Sequence, residues 1–393
     1  MEKVFKEKNQ CCGCSACKEI CPKHCISMVE DDYGYIYPEI NQSMCIDCKA
    51  CVKVCPFIND VPSQKQDYVY AGISMNKNQV MKSSSGGAFF SICKCLYDDN
   101  TTIYGANLDS DLKVHHVRIE NFKDIEKVQK SKYVQSEIRG MYPLAQEDLK
   151  QGKKVIFSGT PCQIAGLKKY LKRDYDTLFT IDFICHGVPS NKIFHSYVQE
   201  IEKQYGKKIK NIGFRDKSTK DILAMKIIFE DNSERIIRAN EDYYLRGFLK
   251  GLYYREVCYN CKFAKRNRVS DITIGDFWGF DKTKYGDKLE HQKGISLIIF
   301  NSYKSNLLMN DLSKFMDLVK VHGAFAAIEN ESLTRPSANH KKREEFLNNL
   351  NYIPFKDNIN KCVPKDTGYK IIIRKFNTVI RMIKFKFHNI TKG

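Results

Sequence analysis

The sequence predicts an α+β / α/β protein of three parts: a small cysteine-rich module over residues 1–60, a mixed α/β body, and a helical basic tail. Three features carry this reading. Ten of the 17 Cys lie within the first 55 residues, a break in composition that marks a domain. Residues 153–184 read as strand, helix and strand in succession, the mark of a parallel pair. Residues 361–393 carry nine Lys and Arg against one acid, Asp366. Segment 1–60 has seven Lys against nine Asp and Glu, so an acidic module precedes a basic body. Val61–Gln66, polar with a Pro, reads as the linker. The body then spans 67–150 and 151–330, and the tail 331–393.

A chain of 393 residues is long enough for more than one domain. Its 42% hydrophobic and 12% aromatic content excludes a mostly disordered protein. No run of 18 apolar residues occurs, which excludes a transmembrane helix. The opening stretch, Met1–Gln10, lacks the apolar centre of a secretory signal, so a cytoplasmic protein is expected. Disulfides are rare in that compartment. The 17 Cys are then metal ligands, catalytic thiols or buried spares.

In the module, Cys11, Cys14, Cys17 and Cys21-Pro22 follow C-x2-C-x2-C-x3-C-P, and Cys45, Cys48, Cys51 and Cys55-Pro56 repeat it. This is the run of bacterial two-cluster ferredoxins. Two-residue gaps make a tight turn that wraps three thiolates round three corners of a cubane. The fourth Cys belongs to the other cluster. One 4Fe-4S cluster is therefore expected on Cys11, Cys14, Cys17 and Cys55, and another on Cys45, Cys48, Cys51 and Cys21. Paired zinc sites also use C-x2-C, but the third Cys and the C-P ending argue for iron–sulfur. Ile26–Glu30 and Tyr35–Tyr37 flank Asp31-Asp32-Tyr33-Gly34, a hairpin that brings the two runs together. Cys12 and Cys25 fall outside the runs and read as small hydrophobes.

In the body, Lys153–Ser158 and Leu178–Ile184 read as buried strands, with Gln163–Leu171 helical between them. Cys162 and Cys185 sit just past the two strand ends, the edge where open α/β sheets bind ligands. Cys258 and Cys261 form a C-x2-C before the strand-like Ser270–Gly275. Four thiols suffice for a third metal site. A structural zinc, a redox C-x2-C or ordinary buried Cys are the alternatives at this point. Ser83-Ser84-Ser85-Gly86-Gly87 follows the strand-like Tyr68–Ser74 and opens the apolar helical run Ala88–Leu96. Unpaired N–H groups at such a turn suit a phosphate, though an ordinary Ser cap with close-packed Gly explains the pattern equally well. Lys132 and Tyr133 add a cation and a ring to this candidate.

The order of these blocks, with KYVQS, GKKVIFSGTPCQIAGLKKYL, DFICHGVPS, CYNCKFA and RVSDITIGDFWG, resembles the coenzyme F420 hydrogenase/dehydrogenase beta-subunit family, in its arrangement behind a two-cluster ferredoxin domain. The resemblance runs over about residues 10 to 300. It implies an FAD- and 4Fe-4S-containing oxidoreductase. The family includes deazaflavin-dependent enzymes, a chlorophyll-derivative reductase and bacterial proteins associated with surface-glycan biosynthesis. Carried over residue by residue, Cys162, Cys185, Cys258 and Cys261 look like the ligands of a third cluster. Gly86 and Gly87, with Ser85, fall on the flavin-phosphate turn. Lys132 and Tyr133 fall on the flavin-contacting loop.

A flavin exchanges electrons in pairs and a cluster singly, so the expected machine converts one into the other. Its substrate is coenzyme F420 or another small organic molecule, and its partner a redox protein or the other subunits of a complex. The alternatives are an electron-transfer subunit without a substrate site, or a ferredoxin-dependent reductase in a surface-polysaccharide pathway. His186, beside Cys185, is a candidate proton donor or a hydrogen-bonding neighbour of the site. The formal charge of +18 does not indicate nucleic acid, because no helix-turn-helix, RNP or basic-aromatic pattern occurs. Ile372, Phe376, Val379, Ile380, Ile383 and Phe387 share one helical face, with Arg374, Lys375, Arg381 and Lys384 mostly elsewhere. Residues 361–393 thus suit either a peripheral contact with the inner face of a membrane or docking on the body.

Overall fold

The computed structural model describes residues 4–63, 68–218, 223–280, 285, 288–289, 293–327 and 330–365. Part of the expected linker and the amphipathic stretch 366–393 lie outside the described residues. The fold is a mixed α/β body behind an N-terminal ferredoxin-like module, as the sequence predicts.

The module is built on an antiparallel hairpin, β1 (Ile26–Glu30) with β2 (Ile36–Ile40). Asp31 makes its turn: its carboxylate accepts from the Tyr33 and Tyr35 N–H groups. Each Cys run bends through left-handed backbone on both sides of its second Cys, at Gly13 and Ser15 in one and at Asp47 and Lys49 in the other. A short helix then follows in each, Ala16–Glu19 and Ala50–Lys53.

The body holds an eight-stranded sheet in the order β13-β3-β12-β11-β7-β6-β4-β5. Its strands are β3 (Tyr68–Ser74), β4 (Thr101–Leu108), β5 (Val114–Ile119), β6 (Lys154–Gly159), β7 (Leu178–Phe183), β11 (Ile272–Asp276), β12 (Ser296–Phe300) and β13 (Met316–Val321). The four central strands β4, β6, β7 and β11 are parallel, and the outer ones pair antiparallel. The expected strand–helix–strand unit is β6, the helix Pro161–Leu171, and β7. Residues of β6 alternate between two covered faces. Val155 and Phe157 pack on Ile164 and Leu167, while Ile156 packs with Ile92 of the helix Ala88–Leu96. A sheet covered on both faces needs such near-continuous apolar strands.

A second, antiparallel sheet comprises β8 (Ile209–Gly213), β9 (Ala224–Phe229) and β10 (Glu234–Arg238). Residues 331–365 are built into the body. Phe346 and Phe355, on the helices Arg343–Asn349 and Phe355–Cys362, pack edge-on to each other and against Tyr253 and Tyr197. Among the described residues no helix is long and apolar enough to cross a membrane.

Strand direction sets where chemistry collects. β3 is antiparallel to β12 and β12 to β11, so β3 runs with the parallel strands. The turn after β3, Cys162 after β6, Cys185 after β7 and Asp276 at the end of β11 therefore all open on one edge of the sheet.

Candidate functional site

Three groups of thiols and one cationic turn make up the site. Cys21, Cys45, Cys48 and Cys51 ring a cavity of about 350 Å³, which Cys25 and three isoleucines also line. Cys25 Sγ lies 3.4 Å from Cys21 Sγ. Burial and that contact push the Cys25 thiol up to about 11. The second group is Cys11, Cys14, Cys17 and Cys55. Burial raises the Cys17 thiol first, and the nearby Cys11 and Cys55 raise it further. Burial likewise raises Cys55, with Cys11 adding to the effect. The structure thus brings together both four-Cys sets with the fourth Cys exchanged.

The two runs differ in burial. A Cβ on Gly13 would stand 2.7 Å from Gln135 Nε2 and 3.0 Å from an Arg255 nitrogen, so the run that touches the body needs Gly there. The other run carries Asp47 at the matching place and faces outward, with Cys48 exposed.

Cys162, Cys185, Cys258 and Cys261 line a second cavity of about 540 Å³ at the sheet edge. Thr160 and Gln163 set the first of these: the Gln163 side chain accepts from the Thr160 N–H and fixes the start of the helix that carries Cys162. Burial pushes Cys258 up to about 12 and Cys261 up to about 11, and the neighbouring thiols add to both shifts. Four such thiols cannot all ionise unless a cationic group joins them. Among the described residues no three His, Cys, Asp or Glu converge on a single ion. One zinc would draw its sulfurs to about 3.8 Å from one another. Four thiols lining one cavity are a donor set that an iron–sulfur core can use.

The same cavity is lined by Cys12, His186 and two buried arginines, Arg255 and Arg268. Cys12 is buried between Cys14 and Cys162 and shares hydrogen bonds with both. Arg268 pairs with Asp182 at 3.1 Å. The backbone O of His186 accepts from Ser337 Oγ at 2.5 Å, and its Nδ1 lies 3.3 Å from Ser332 Oγ. Surrounding protein lowers the His186 pKa, while Asp276 and Glu331 pull the other way.

The cationic turn is Ser83–Gly87, where the helix Ala88–Leu96 begins. Ser84 Oγ accepts from the Ser131 N–H at 2.8 Å, which ties on the loop that carries Lys132 and Tyr133. Buried Lys217 donates from Nζ to the carbonyls of Ser85 at 2.5 Å and Val80 at 2.8 Å. Lys293 donates to the Lys217 carbonyl at 2.8 Å. Burial, then Arg215, pushes Lys217 down to about 7. Burial and Lys130 push Lys132 down to about 7. Arg215 pairs with Asp276 at 2.8 Å, lies 3.3 Å from Tyr133 Oη, and covers the ring of Trp278 at 5.4 Å. This concentration of cations beside a helix start, with the Asp276 carboxylate among them, has the chemistry of a phosphate-binding site and fits the FAD that the resemblance implies. The two glycines are also closely packed. A Cβ on Gly86 would stand 2.4 Å from Gly72 O and 2.8 Å from Ser296 N, and one on Gly87 2.9 Å from Ser74 Cβ. They seat the turn on β3 and β12.

Sequence reasoning misses Cys12, Cys25, Arg215, Lys217, Arg255 and Arg268. The run Phe214-Arg215-Asp216-Lys217 directly after a strand, and an arginine three residues before a C-x2-C, are the available signals.

Residues 152–320 match the family model for the C-terminal region of the beta subunit of coenzyme F420 hydrogenase/dehydrogenase. Residues 10–59 match a 4Fe-4S dicluster domain. Among solved structures, a chain from the xenon-derivatised F420-reducing NiFe hydrogenase complex of Methanosarcina barkeri aligns at 16% identity and a TM-score of 0.45, over 69% of this chain and 90% of that one. No curated protein matches the sequence.

Proposed function

We propose that this chain, which matches the coenzyme F420 hydrogenase/dehydrogenase beta-subunit family model over residues 152–320 and a 4Fe-4S dicluster domain over residues 10–59, is a flavin-dependent iron–sulfur oxidoreductase. Its substrate is a deazaflavin such as coenzyme F420, or another small organic hydride carrier. The observation that carries this reading is the shared sheet edge, onto which Cys162, Cys185, Asp276 and the turn after β3 all open.

Bound FAD would supply two-electron hydride chemistry, and iron–sulfur clusters would pass the electrons singly. The chain's own residues do the rest. Arg215, Lys217 and Lys132 would hold the phosphates, and Tyr133 and Trp278 would offer ring faces beside them. Asp276 holds Arg215 in place. His186, beside Cys185, would hold or pass a proton at this edge. Cys162, Cys185, Cys258 and Cys261 would hold a cluster at the sheet edge. Cys12 places the set of Cys11, Cys14, Cys17 and Cys55 next in line, and the set around exposed Cys48 last.

That outer set supports a second reading, a protein that only relays electrons. Met44 and Ile46 beside it are 50% and 58% exposed, apolar surface of the kind that a partner protein covers. Turnover of a reduced deazaflavin by the isolated chain with a dye acceptor favours the enzyme, and its absence favours the relay.

Purified under argon, the protein is expected to hold about 12 Fe and one FAD, and Cys185→Ser about 8 Fe. Zinc in place of iron, with no flavin, would sink the proposal.

A further inference from the structure

Arg255 is wholly buried. Its backbone belongs to the third-site loop: its N–H donates to Val188 O and its carbonyl accepts from the Cys258 N–H, both at 2.9 Å. Its side chain reaches the other way, into the module. Nε donates to Cys11 O at 2.7 Å, Nη1 to Gln135 Oε1 at 3.1 Å, and Nη2 to Ile36 O at 2.8 Å. Nη2 also lies 3.6 Å from Cys11 Sγ. The guanidinium stacks over Tyr37 at 4.2 Å, and Gln135 in turn donates to Cys12 O at 3.0 Å. A buried cation is costly unless something negative compensates it. Arg268 has the Asp182 carboxylate at 3.1 Å, but among the described residues the contacts of Arg255 are carbonyls, an amide, aromatic rings and a sulfur, and no carboxylate. The groups it faces that would turn negative on binding a cluster are thiols of two different four-Cys sets: Cys11 of one, and the cavity of Cys162, Cys185, Cys258 and Cys261 that it lines.

We propose that Arg255 is the shared counter-ion of the third cluster and the first module cluster, and that its one positive charge raises both reduction potentials together. An oxidised cubane with four thiolates carries about −2, and reduction adds one more negative charge. A fixed cation between two such groups favours the reduced state of each. When an electron leaves one cluster and enters the other, the same charge stabilises donor and acceptor, so the step stays near balance. The outer cluster around Cys48 lies away from Arg255 and keeps a lower potential. This rests on the reading above for the presence of the clusters, and fixes the order in which they fill.

The test is an EPR-monitored redox titration of the anaerobically purified holoprotein, with the third signal assigned by its loss in Cys185→Ser. Arg255→Gln keeps hydrogen-bonding groups and removes the charge. It is expected to shift two of the three reduction equilibria at least tenfold toward oxidation, which is about 59 mV each for a one-electron couple. The third should stay where it was. Full iron with all three potentials unmoved, or all three moved alike, overturns the proposal. If Arg255→Gln does not hold its iron, Arg255→Lys decides. Full iron with both potentials near wild type upholds a charge role, and lost iron shows that only the shape of the arginine mattered. The wild-type iron count separates the two readings: about 8 Fe removes the third cluster itself, whatever the potentials show.

Discussion

The cationic turn makes a prediction about pH. Lys132 and Lys217 are each pushed down to about 7 by burial and by neighbouring cations. In the unfolded chain both titrate near 10.4. Between pH 7 and 10 the unfolded chain therefore binds more protons, so the apoprotein gains stability as pH rises through that window. Binding of a phosphate has the opposite sign. An anion beside these amines favours their charged forms, so only molecules with protonated lysines bind at full strength. For a lysine with a pKa of about 7, the protonated fraction falls from about one half at pH 7 to about one hundredth at pH 9. The apparent affinity for FAD then falls about 50-fold per coupled lysine over those two pH units. The chain's one tryptophan, Trp278, lies against Arg215 and reports binding by its fluorescence. A dissociation constant within threefold from pH 7 to pH 9 refutes the argument. Lys217→Met should bind FAD more weakly at pH 7 and lose about half of the logarithmic slope.

Other tests follow from the same contacts. Gly86→Ala drives a methyl into Gly72 O at 2.4 Å, where both partners are sheet backbone. It should cost about 1–3 kcal/mol in urea unfolding and weaken FAD binding, whereas Gly140→Ala meets nothing within 4 Å and should leave FAD binding intact despite its left-handed backbone. Asp276→Asn leaves the buried Arg215 without its carboxylate, and should cost the apoprotein about 3–5 kcal/mol. FAD phosphates should replace the missing charge, so FAD should stabilise this variant against heat more than it does the wild type. Equal stabilisation of both counts against a phosphate role for Arg215.

What the sequence reveals is what short-range spacing determines. The Cys runs are legible because two-residue gaps and a terminal C-P impose the fold of the ligand loop by themselves. Tyr68–Ser74 and Ala88–Leu96 are legible to the residue, because a buried strand and an apolar helix each declare a period. The packing of Gly86 is not, since nothing in the local sequence shows that Gly72 O stands opposite it. Lys217 and Arg255 escape for a related reason. Their meaning lies in Ser85 and Cys11, 132 and 244 residues away, and no local pattern reports such a pairing.

The hairpin of the module does more than join the two Cys runs. Its turn lands on the start of the helix Asn191–Tyr205. Tyr33 O accepts from Ser190 Oγ at 2.5 Å, and Asp32 O from Lys192 Nζ at 2.7 Å. Ser190 also caps that helix by accepting from the Ile193 N–H at 3.2 Å. Behind the turn, Tyr35 Oη donates to Tyr253 O at 2.8 Å, and on the far side Glu19 accepts from the Gly140 N–H at 3.2 Å. These bonds engage carbonyls and N–H groups more than exposed charges, so salt should weaken them little. A module held in this way does not have to find its donor by diffusion. Folding itself sets which thiol group adjoins the sheet edge and which faces outward. The acidic module would gain negative charge with each cluster it holds, and the buried Arg255 stands where the first of those charges would fall. Cluster loading and docking of the module thus reinforce each other through one residue.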